Sequence, residues 1–354
     1  MPKSVIPKQP WLAVNLSMLM PGLGQFYGEQ WTKGILISLI FGGLLGRGIW
    51  SIFAAEGMTT AGFWQLGIAA VLYGLNLWDA HHSLQKAGIR QPNPAHPPAK
   101  APPKDAWYSL FLSQLLPGLG HFYLDQALLG GVFFVLGVGL AYWANRGFLM
   151  LMPVAYGIWA AAGYHAYRTA PRRVRSAPLL VALIVSGLFL TRLVIGYAPT
   201  LINRSVVQCI VPSESMLPTL QVRDRIFVRR NPFYRPQTGD IVVFSPPPKA
   251  IAELETTPNT LFVKRIVGLP GQQVQISDGQ IFIDQQPLSE PYGVNPVSYT
   301  WGPEVVSPNA YFVLGDNRDA SADSHVWGFL PKTDILGKAY KIYWPPERVR
   351  SLLK

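Results

Sequence analysis

Two serines separated by one residue, Ser213 and Ser215, stand in the turn-forming stretch Pro212-Ser-Glu-Ser-Met-Leu-Pro218. A serine hydroxyl becomes an effective nucleophile only when a base removes its proton, and a neutral lysine serves as that base as well as a histidine does. Lys264 lies in the apolar, strand-like run Leu261-Phe-Val-Lys-Arg-Ile-Val267. Alternation along a strand puts Lys264 on one face with apolar neighbours, where burial lowers the pKa of an ammonium group. The residues therefore predict a serine nucleophile with a lysine base.

Four motifs follow one another along the C-terminal half of the chain. They are Pro212-Ser-Glu-Ser-Met-Leu-Pro-Thr219, Gly239-Asp-Ile-Val-Val243, Lys264-Arg-Ile-Val-Gly-Leu-Pro270 and Gly315-Asp-Asn-Arg-Asp-Ala-Ser-Ala-Asp-Ser324. Their order and approximate spacing resemble those of the bacterial type I signal peptidases. The resemblance covers about residues 175–350 and has no bearing on residues 1–170.

The resemblance implies a role for each polar residue of the site. Ser215, the second serine of its motif, is expected to be the nucleophile, and Lys264 the general base for both half-reactions. Ser213 is expected to donate its hydroxyl to the oxyanion of the tetrahedral intermediate, with turn capping as the alternative role. Ser321 matches the serine that orients the catalytic lysine.

The resemblance also implies a substrate class, namely secretory preproteins whose signal peptides are cut after small residues. Val211 and Val263 precede the serine and lysine motifs and are expected to line shallow apolar pockets for the substrate. Met216 and Leu220 are expected to pack there or to enter the lipid interface. Ordinary core packing remains an alternative for all four residues.

The last motif carries charges that we interpret as a structural network. Asp316, Arg318 and Asp323 are expected to hold the loop together rather than to take part in the chemistry. His325 stands where the resembling family usually has arginine or lysine, and we expect this departure to weaken the pairing within the network. A triad of Ser215, His325 and Asp323 is a competing hypothesis.

Composition favours a membrane protein over a soluble enzyme. Hydrophobic residues make up 49% of the 354-residue chain and charged residues only 14%. The net charge of +11 is not accompanied by a basic helix or an RNA-binding motif, so no nucleic acid partner is expected. The single cysteine, Cys209, excludes an intramolecular disulfide and is expected to be a packed strand residue. No metal or cofactor is expected.

An internal repeat organises the N-terminal half. Leu16-Ser-Met-Leu-Met-Pro-Gly-Leu-Gly-Gln-Phe-Tyr27 returns as Leu112-Ser-Gln-Leu-Leu-Pro-Gly-Leu-Gly-His-Phe-Tyr123. We assign residues 1–90 to a first membrane repeat and 107–170 to a second, joined by a Pro-rich linker at 91–106. The Pro-Gly-Leu-Gly segments are too short to span a bilayer and are predicted to be re-entrant or interfacial helices.

Basic residues predict the orientation in the membrane. Cationic segments flank the linker and precede the apolar run of residues 178–198, and the positive-inside rule places them in the cytoplasm. Two crossings per repeat and a transmembrane anchor at 171–200 give five spans; counting the Pro-Gly-Leu-Gly helices gives seven. Both counts put residues 201–354 outside the cytoplasmic membrane. Arg192 is expected to mark the outer edge of the anchor, with its side chain reaching the interface.

Short β-rich runs punctuated by Gly and Pro fill the segment after residue 206. They predict an all-β catalytic domain of open-barrel or sandwich type behind an α-helical membrane half. Asp278-Gly279 predicts a tight hairpin turn. Residues 245–259 and 287–308 are predicted to be long surface loops.

The leading hypothesis is thus a membrane-anchored serine endopeptidase that removes signal peptides, with membrane lipid and translocation machinery as further partners. The alternative is a membrane interaction module that recruits a translocation partner and carries a vestigial peptidase domain. The presence of Ser215, Lys264 and Ser321 favours the enzyme.

Overall fold

The structure, a computed structural model, describes residues 8–89, 104–171, 177–292 and 297–353. The chain divides into two compact units, one formed by Met1–Arg47 and Trp64–Pro199 and the other by Gly48–Phe63 and Thr200–Lys354. Most of the predicted Pro-rich linker and the basic segment 172–176 lie outside the described residues.

The first unit is helical. Its described helices are α1 (Pro10–Leu19), α2 (Leu23–Tyr27), α3 (Trp31–Phe53), α4 (Thr59–Ile89), α5 (Ala106–Leu115), α6 (Leu119–Tyr123), α7 (Ala127–Asn145), α8 (Met152–Thr169) and α9 (Pro178–Ser205), of which α3, α4 and α9 continue into the second unit.

Three of the described helices, α3, α7 and α9, are long and apolar enough to cross a membrane. Only 17–22% of their most apolar windows is buried, which leaves apolar side chains free to contact lipid. The chain is therefore membrane-associated. The other two predicted crossings fall within α4 and α8, so the five-span arrangement stays a prediction.

The Pro-Gly-Leu-Gly segments break the helices where the sequence predicts a break. Gly22 separates α1 from α2 at φ +101°, and Gly118 separates α5 from α6 at φ +93°. A Cβ on Gly22 would lie 2.5 Å from the carbonyl oxygen of Gly34, and one on Gly118 would lie 2.1 Å from that of Gly130. Glycine is required at both positions because the backbone is left-handed there and a neighbouring helix passes in close contact.

Contacts at each break recur in the second copy at positions 96 residues further along the chain. The backbone N–H of Gly24 donates to the hydroxyl of Ser17 at 3.1 Å, and that of Gly120 donates to Ser113 at the same distance. Equivalent residues thus build equivalent local structures, as expected for two copies of one unit.

Arg192, in α9, contacts the second repeat, and its expected place at the outer edge of the anchor stays a prediction. Its guanidinium donates to the side-chain oxygen of Gln114 at 2.6 Å and to the carbonyl oxygen of the same residue, and it lies over the ring of Trp159. Gln114 is in the last turn of α5, whose carbonyls lack partners within the helix. Arg192 therefore ties α9 to the second repeat.

The second unit is rich in strands. In the described residues these are β1 (Val206–Ile210), β2 (Arg225–Arg229), β3 (Ile241–Phe244), β4 (Phe262–Gly268), β5 (Gln273–Ser277), β6 (Gln280–Ile283), β7 (Gln286–Pro287), β8 (Trp301–Val305), β9 (Ala310–Leu314), β10 (Leu330–Pro331), β11 (Ile335–Trp344) and β12 (Arg350–Ser351), with short helices α10 (Pro248–Glu253) and α11 (Ser324–Trp327).

The strands form two sheets. The larger has the order β1-β2-β11-β3-β4-β9-β10, with β12 paired to β11, and the smaller has the order β7-β6-β5-β8. All pairings among the described strands are antiparallel. The predicted fold class, an α-helical membrane half followed by an all-β domain, is confirmed.

Both faces of the larger sheet are covered near its centre. Ile241 and Val243 of β3 pack in one hydrophobic cluster, and the alternate residues Val242 and Phe244 pack in another. A strand buried on both faces reads as a continuous apolar run, as this one does. The neighbouring strand β4 therefore pairs with a strand that is buried on both faces.

Two predicted loops contain regular structure, so these predictions were wrong. Residues 245–259 include α10, and residues 287–308 include β8, which pairs with β5. Gly302 and Pro303 in β8 resemble a turn signal, but β8 is an edge strand, where proline is tolerated. The hairpin prediction is confirmed, since Asp278 and Gly279 join β5 to β6 with positive φ.

Candidate active site

The turn that carries Ser213 and Ser215 follows shortly after β1. After Val211 and Pro212 the chain enters a short 3₁₀ turn, Glu214–Met216. The hydroxyl of Ser213 lies 3.3 Å from that of Ser215 and donates to it. The sequence therefore brings the two serines into contact by local geometry alone.

A second loop holds this turn in place. The backbone N–H of Asn317 donates to the carbonyl oxygen of Ser215 at 3.1 Å, and its side-chain amide donates to that of Glu214 at 3.2 Å. A Cβ on Gly315 would lie 2.3 Å from the Ser215 carbonyl oxygen and 2.2 Å from the Ser321 hydroxyl. Only glycine permits the two loops to approach so closely.

Lys264 lies in the middle of β4, between β3 and β9. Its cross-strand partner is Val242, and its side chain is only 5% exposed. Phe262 and Ile266, two residues away on either side, both belong to the hydrophobic cluster of that strand face. The predicted apolar setting of Lys264 is therefore present.

Ser215 and Lys264 line the same cavity, which has a volume of about 320 Å³. Its wall is apolar apart from a few hydroxyls and the Lys264 amine. The lining residues are Val211, Pro212, Ser213, Ser215, Met216, Leu254, Thr260, Leu261, Phe262, Val263, Lys264, Ala320 and Ala322. Motifs separated along the chain thus meet around one space that is open to a ligand.

A chain of hydrogen bonds orients the lysine. Lys264 Nζ donates to Ser321 Oγ at 2.9 Å, and Ser321 Oγ donates to Asp323 Oδ2 at 2.6 Å. The same carboxylate oxygen accepts from the backbone N–H of Gly315 at 2.8 Å. Because the Ser321 proton is directed to Asp323, the Ser321 oxygen must act as an acceptor toward Lys264.

Burial sets the charge state of the lysine. Removal from water lowers the pKa of Lys264 to about 8, and the carboxylates of Asp323 and Asp316 oppose that change. A pKa of this value leaves an appreciable fraction of neutral amine near neutral pH, as a general base requires.

The predicted charge network is present around these residues. The guanidinium of Arg265 binds Asp316 through two bonds of 2.7 and 2.6 Å, and it stacks over the ring of Tyr292. Arg318 donates to the carbonyl oxygen of Gly315 at 3.0 Å and pairs with Glu290. These contacts fix the loop that carries Ser321.

His325 retains a pairing that the sequence led us to expect would be weak. Its Nδ1 lies 2.7 Å from Asp323 Oδ1, and its ring stacks on Tyr299 with centroids 4.0 Å apart. His325 is not among the residues that line the cavity with Ser215. In the described structure His325 thus contacts Asp323 and does not line the cavity with Ser215, which speaks against the alternative triad.

The candidate substrate-binding residues divide into two groups. Val211, Val263 and Met216 line the cavity, whereas Leu220 is fully buried in the adjoining hydrophobic cluster and is not part of the wall. All four are buried, so neither Met216 nor Leu220 has the exposure that entry into lipid requires. Cys209 packs in the same cluster, where burial raises the pKa of its thiol.

Several residues of the site were not singled out by the sequence. Leu254 and Thr260 lie in the predicted loop of residues 245–259 and just after it, and Ala320 and Ala322 flank Ser321. The two alanines could have been predicted from the sequence, because small residues on either side of a serine leave room for a ligand. Leu254 could not have been predicted from the sequence, because its position depends on how α10 folds back.

Comparisons with known proteins find signal peptidases among the relatives of this chain. A family model described as signal peptidase, peptidase S26, matches residues 183–344. The chain is 45% identical over 144 residues to signal peptidase I of Leptolyngbya laminosa, covering 40% of this chain and 70% of that protein. It is 42% identical over 144 residues to a probable signal peptidase I-2 of Synechocystis, covering 40% and 65%. A signal peptidase I structure from Enterococcus faecalis aligns at 28% identity over 30% of this chain and 97% of that one, with a TM-score of 0.24.

Proposed function

Because this chain belongs to the signal peptidase I family of serine endopeptidases, which remove signal peptides, we propose that Ser215 and Lys264 form its catalytic dyad. The observation that carries the proposal is that both side chains line one cavity while Lys264 is buried and bonded to Ser321. The chemistry then follows from the positions of these groups.

In the first half-reaction the neutral amine of Lys264 removes the hydroxyl proton of Ser215. The Ser215 oxygen forms a bond to the scissile carbonyl carbon, and the carbonyl electron pair moves onto its oxygen. As the C–N bond breaks, the Lys264 ammonium returns its proton to the leaving amine. The product is an ester between Ser215 and the signal peptide.

The second half-reaction uses the same base. Lys264, neutral again, removes a proton from a water that attacks the ester carbonyl, and the Ser215 oxygen leaves with that proton. The bond to Ser321 keeps one N–H of the amine occupied, so the lone pair can be directed toward Ser215. Asp323 contributes by fixing the direction of the Ser321 hydroxyl.

Ser213 is suited to stabilise the oxyanion. Its hydroxyl lies 3.3 Å from the nucleophilic oxygen and faces the same cavity. Donors placed where charge develops act most strongly in a site that excludes water. When a carbonyl carbon bonds to Ser215, the Ser213 hydroxyl can turn from that oxygen to the new oxyanion.

The wall of the cavity favours small apolar side chains. Val211, Val263 and Met216 supply apolar surface, and Ala320 and Ala322 leave space beside it. A secretory preprotein with small residues before its cleavage site fits this description.

The membrane anchor is α9, which ends one residue before β1 begins. The strand that leads to the nucleophile is therefore an uninterrupted continuation of an apolar helix of 28 residues. We propose that the enzyme lies in the cytoplasmic membrane, with the catalytic domain on the outer side and lipid and translocation machinery as neighbours.

Cleavage of a preprotein by the full-length protein in detergent tests the function. Ser215→Ala and Lys264→Ala are each expected to reduce cleavage to background, while the exposed-lysine control Lys249→Ala keeps it unchanged. Near-normal turnover by either dyad variant would refute the dyad. A wild-type protein that cuts no preprotein but co-purifies with translocation components would instead support the interaction-module alternative.

A further inference from the structure

The loop between the first two long helices folds with the catalytic domain. This segment, Gly48–Phe63, contains the last turn of α3, the connection and the first turn of α4, and we call it the repeat loop. By sequence it belongs to the first membrane repeat, yet it groups with Thr200–Lys354 and not with the helices on either side.

A buried lysine joins the repeat loop to the larger sheet. Lys341, in β11, is 0% exposed, and its Nζ donates to the carbonyl oxygen of Ser51 at 2.9 Å and to that of Ile52 at 2.8 Å. These carbonyls belong to the last turn of α3, where the helix itself supplies no donors. A cation there also matches the negative end of the helix dipole.

Aromatic rings extend this contact. Phe53 stacks on Phe227 of β2 with centroids 5.5 Å apart, and Phe227 stacks on Tyr343 of β11 at 4.1 Å. Ser51 and Ile52 are both buried, at 3% and 7% exposure. The repeat loop thus covers a patch of β2 and β11, because its helix end binds Lys341 and its Phe53 ring stacks on Phe227.

The buried amine of Lys341 depends on the repeat loop for hydrogen-bond acceptors. Burial lowers the pKa of Lys341 to about 8, and no charged group contributes to that shift. A buried amine without a carboxylate partner is costly unless other acceptors satisfy its N–H groups. The two carbonyls of α3 are those acceptors.

The covered patch adjoins the strand that leads to the nucleophile. Phe227 lies opposite Gln208 of β1 on one side and opposite Lys341 of β11 on the other. Because β1 runs into the turn that holds Ser215, one strand pairing connects β2 to that turn.

We propose that the repeat loop is a docked component of the catalytic domain, latched by Lys341, and that it positions the nucleophile strand. The first membrane repeat is then required for full peptidase activity, a statement that rests on the proposed function, whereas the docking itself does not. The repeat loop must also lie on the same side of the membrane as Ser215.

The latch is tested in the full-length protein with Lys341→Met, which keeps length and apolar volume but removes the donors. Lys332→Met, an exposed lysine of the same domain, is the matched control. We expect amide hydrogen exchange in residues 48–63 to become at least about tenfold faster in Lys341→Met, and kcat for preprotein cleavage to fall severalfold with KM nearly unchanged. Exchange equal to that of the control would overturn the latch.

A cross-link gives a result that does not depend on how well Lys341→Met folds. Phe53→Cys and Phe227→Cys, combined in a Cys209→Ser background, are treated in native membranes with a short bis-maleimide. We expect an intramolecular link between the two positions, and in the Lys341→Met background we expect that link to restore kcat. Absence of the link in membranes would refute docking. A protein that forms the link but cuts no preprotein would refute only the proposed function.

Discussion

The pH dependence of cleavage follows directly from the surroundings of Lys264. Only the neutral amine acts as a base, so the rate is expected to track the deprotonated fraction of this one residue. Burial lowers its pKa from 10.5 to about 8, and therefore makes the neutral fraction appreciable near neutral pH. The rate should rise with pH and level off above the pKa.

The pKa of Lys264 sets the size of the change in cleavage rate with pH. With a pKa of about 8, the neutral fraction is about 0.01 at pH 6, about 0.1 at pH 7, about 0.5 at pH 8 and about 0.9 at pH 9. A solvated lysine of pKa 10.5 would be neutral in only about three molecules in ten thousand at pH 7. Burial therefore supplies about 300 times more base at pH 7.

The assay is single-turnover cleavage of a preprotein by the full-length protein in detergent from pH 6 to 10, which isolates the chemical step. We expect a rise of about tenfold from pH 6 to 7 and of less than twofold from pH 8 to 9. A flat profile would refute Lys264 as the base. A rise that continues tenfold per unit through pH 10 would refute the effect of burial.

The variant Asp323→Asn tests which groups set the midpoint of the pH profile of cleavage. Asp323→Asn removes a carboxylate that raises the pKa of Lys264, while its side-chain oxygen can still accept from Ser321. We expect the midpoint of the pH profile to move to lower pH, whatever the maximal rate becomes. A midpoint that stays in place or moves upward would show that Asp323 does not act on the lysine charge.

Three further predictions concern the oxyanion, the packing of the loops and the topology. Ser213→Ala should lower kcat by about a hundredfold or more with little change in KM, the loss typical of one oxyanion donor; an unchanged kcat in steady-state kinetics would exclude that role. Gly315→Ala should cost about a hundredfold in kcat/KM, because its Cβ would lie within 2.3 Å of both the Ser321 hydroxyl and the Ser215 carbonyl oxygen; activity equal to wild type would contradict the close approach of the loops. A single cysteine at Ala99, in a chain without the native one, should escape an impermeant thiol reagent in intact cells and react after permeabilisation; labelling in intact cells would reject five spans.

The sequence by itself determined the features that depend on neighbouring residues. The Ser213–Ser215 turn, the Asp278-Gly279 hairpin and the break at Gly22 each arise from local backbone preferences. The apolar run around Lys264 likewise predicted a buried strand. Such features are readable because their causes, turn chemistry and alternation, act within a few residues.

The sequence alone gave a misleading prediction where a local signal had a non-local explanation. Gly302 and Pro303 look like a turn, but the pairing of β8 with β5 makes them part of an edge strand. Arg192 has a partner, Gln114, that lies 78 positions earlier in the chain and that no local signal indicates. Neither partner is visible to a pattern confined to a short window.

Only the tertiary structure decided which groups meet. Ser321 contacts Lys264 across 57 residues of sequence, and His325 contacts Asp323 and does not line the cavity with Ser215. Lys341 reaches Ser51 across 290 residues and so makes the repeat loop part of the catalytic domain. The physical reason is that a buried polar group takes whichever acceptors the packed chain brings to it, and periodicity specifies the face of a strand but not what covers that face.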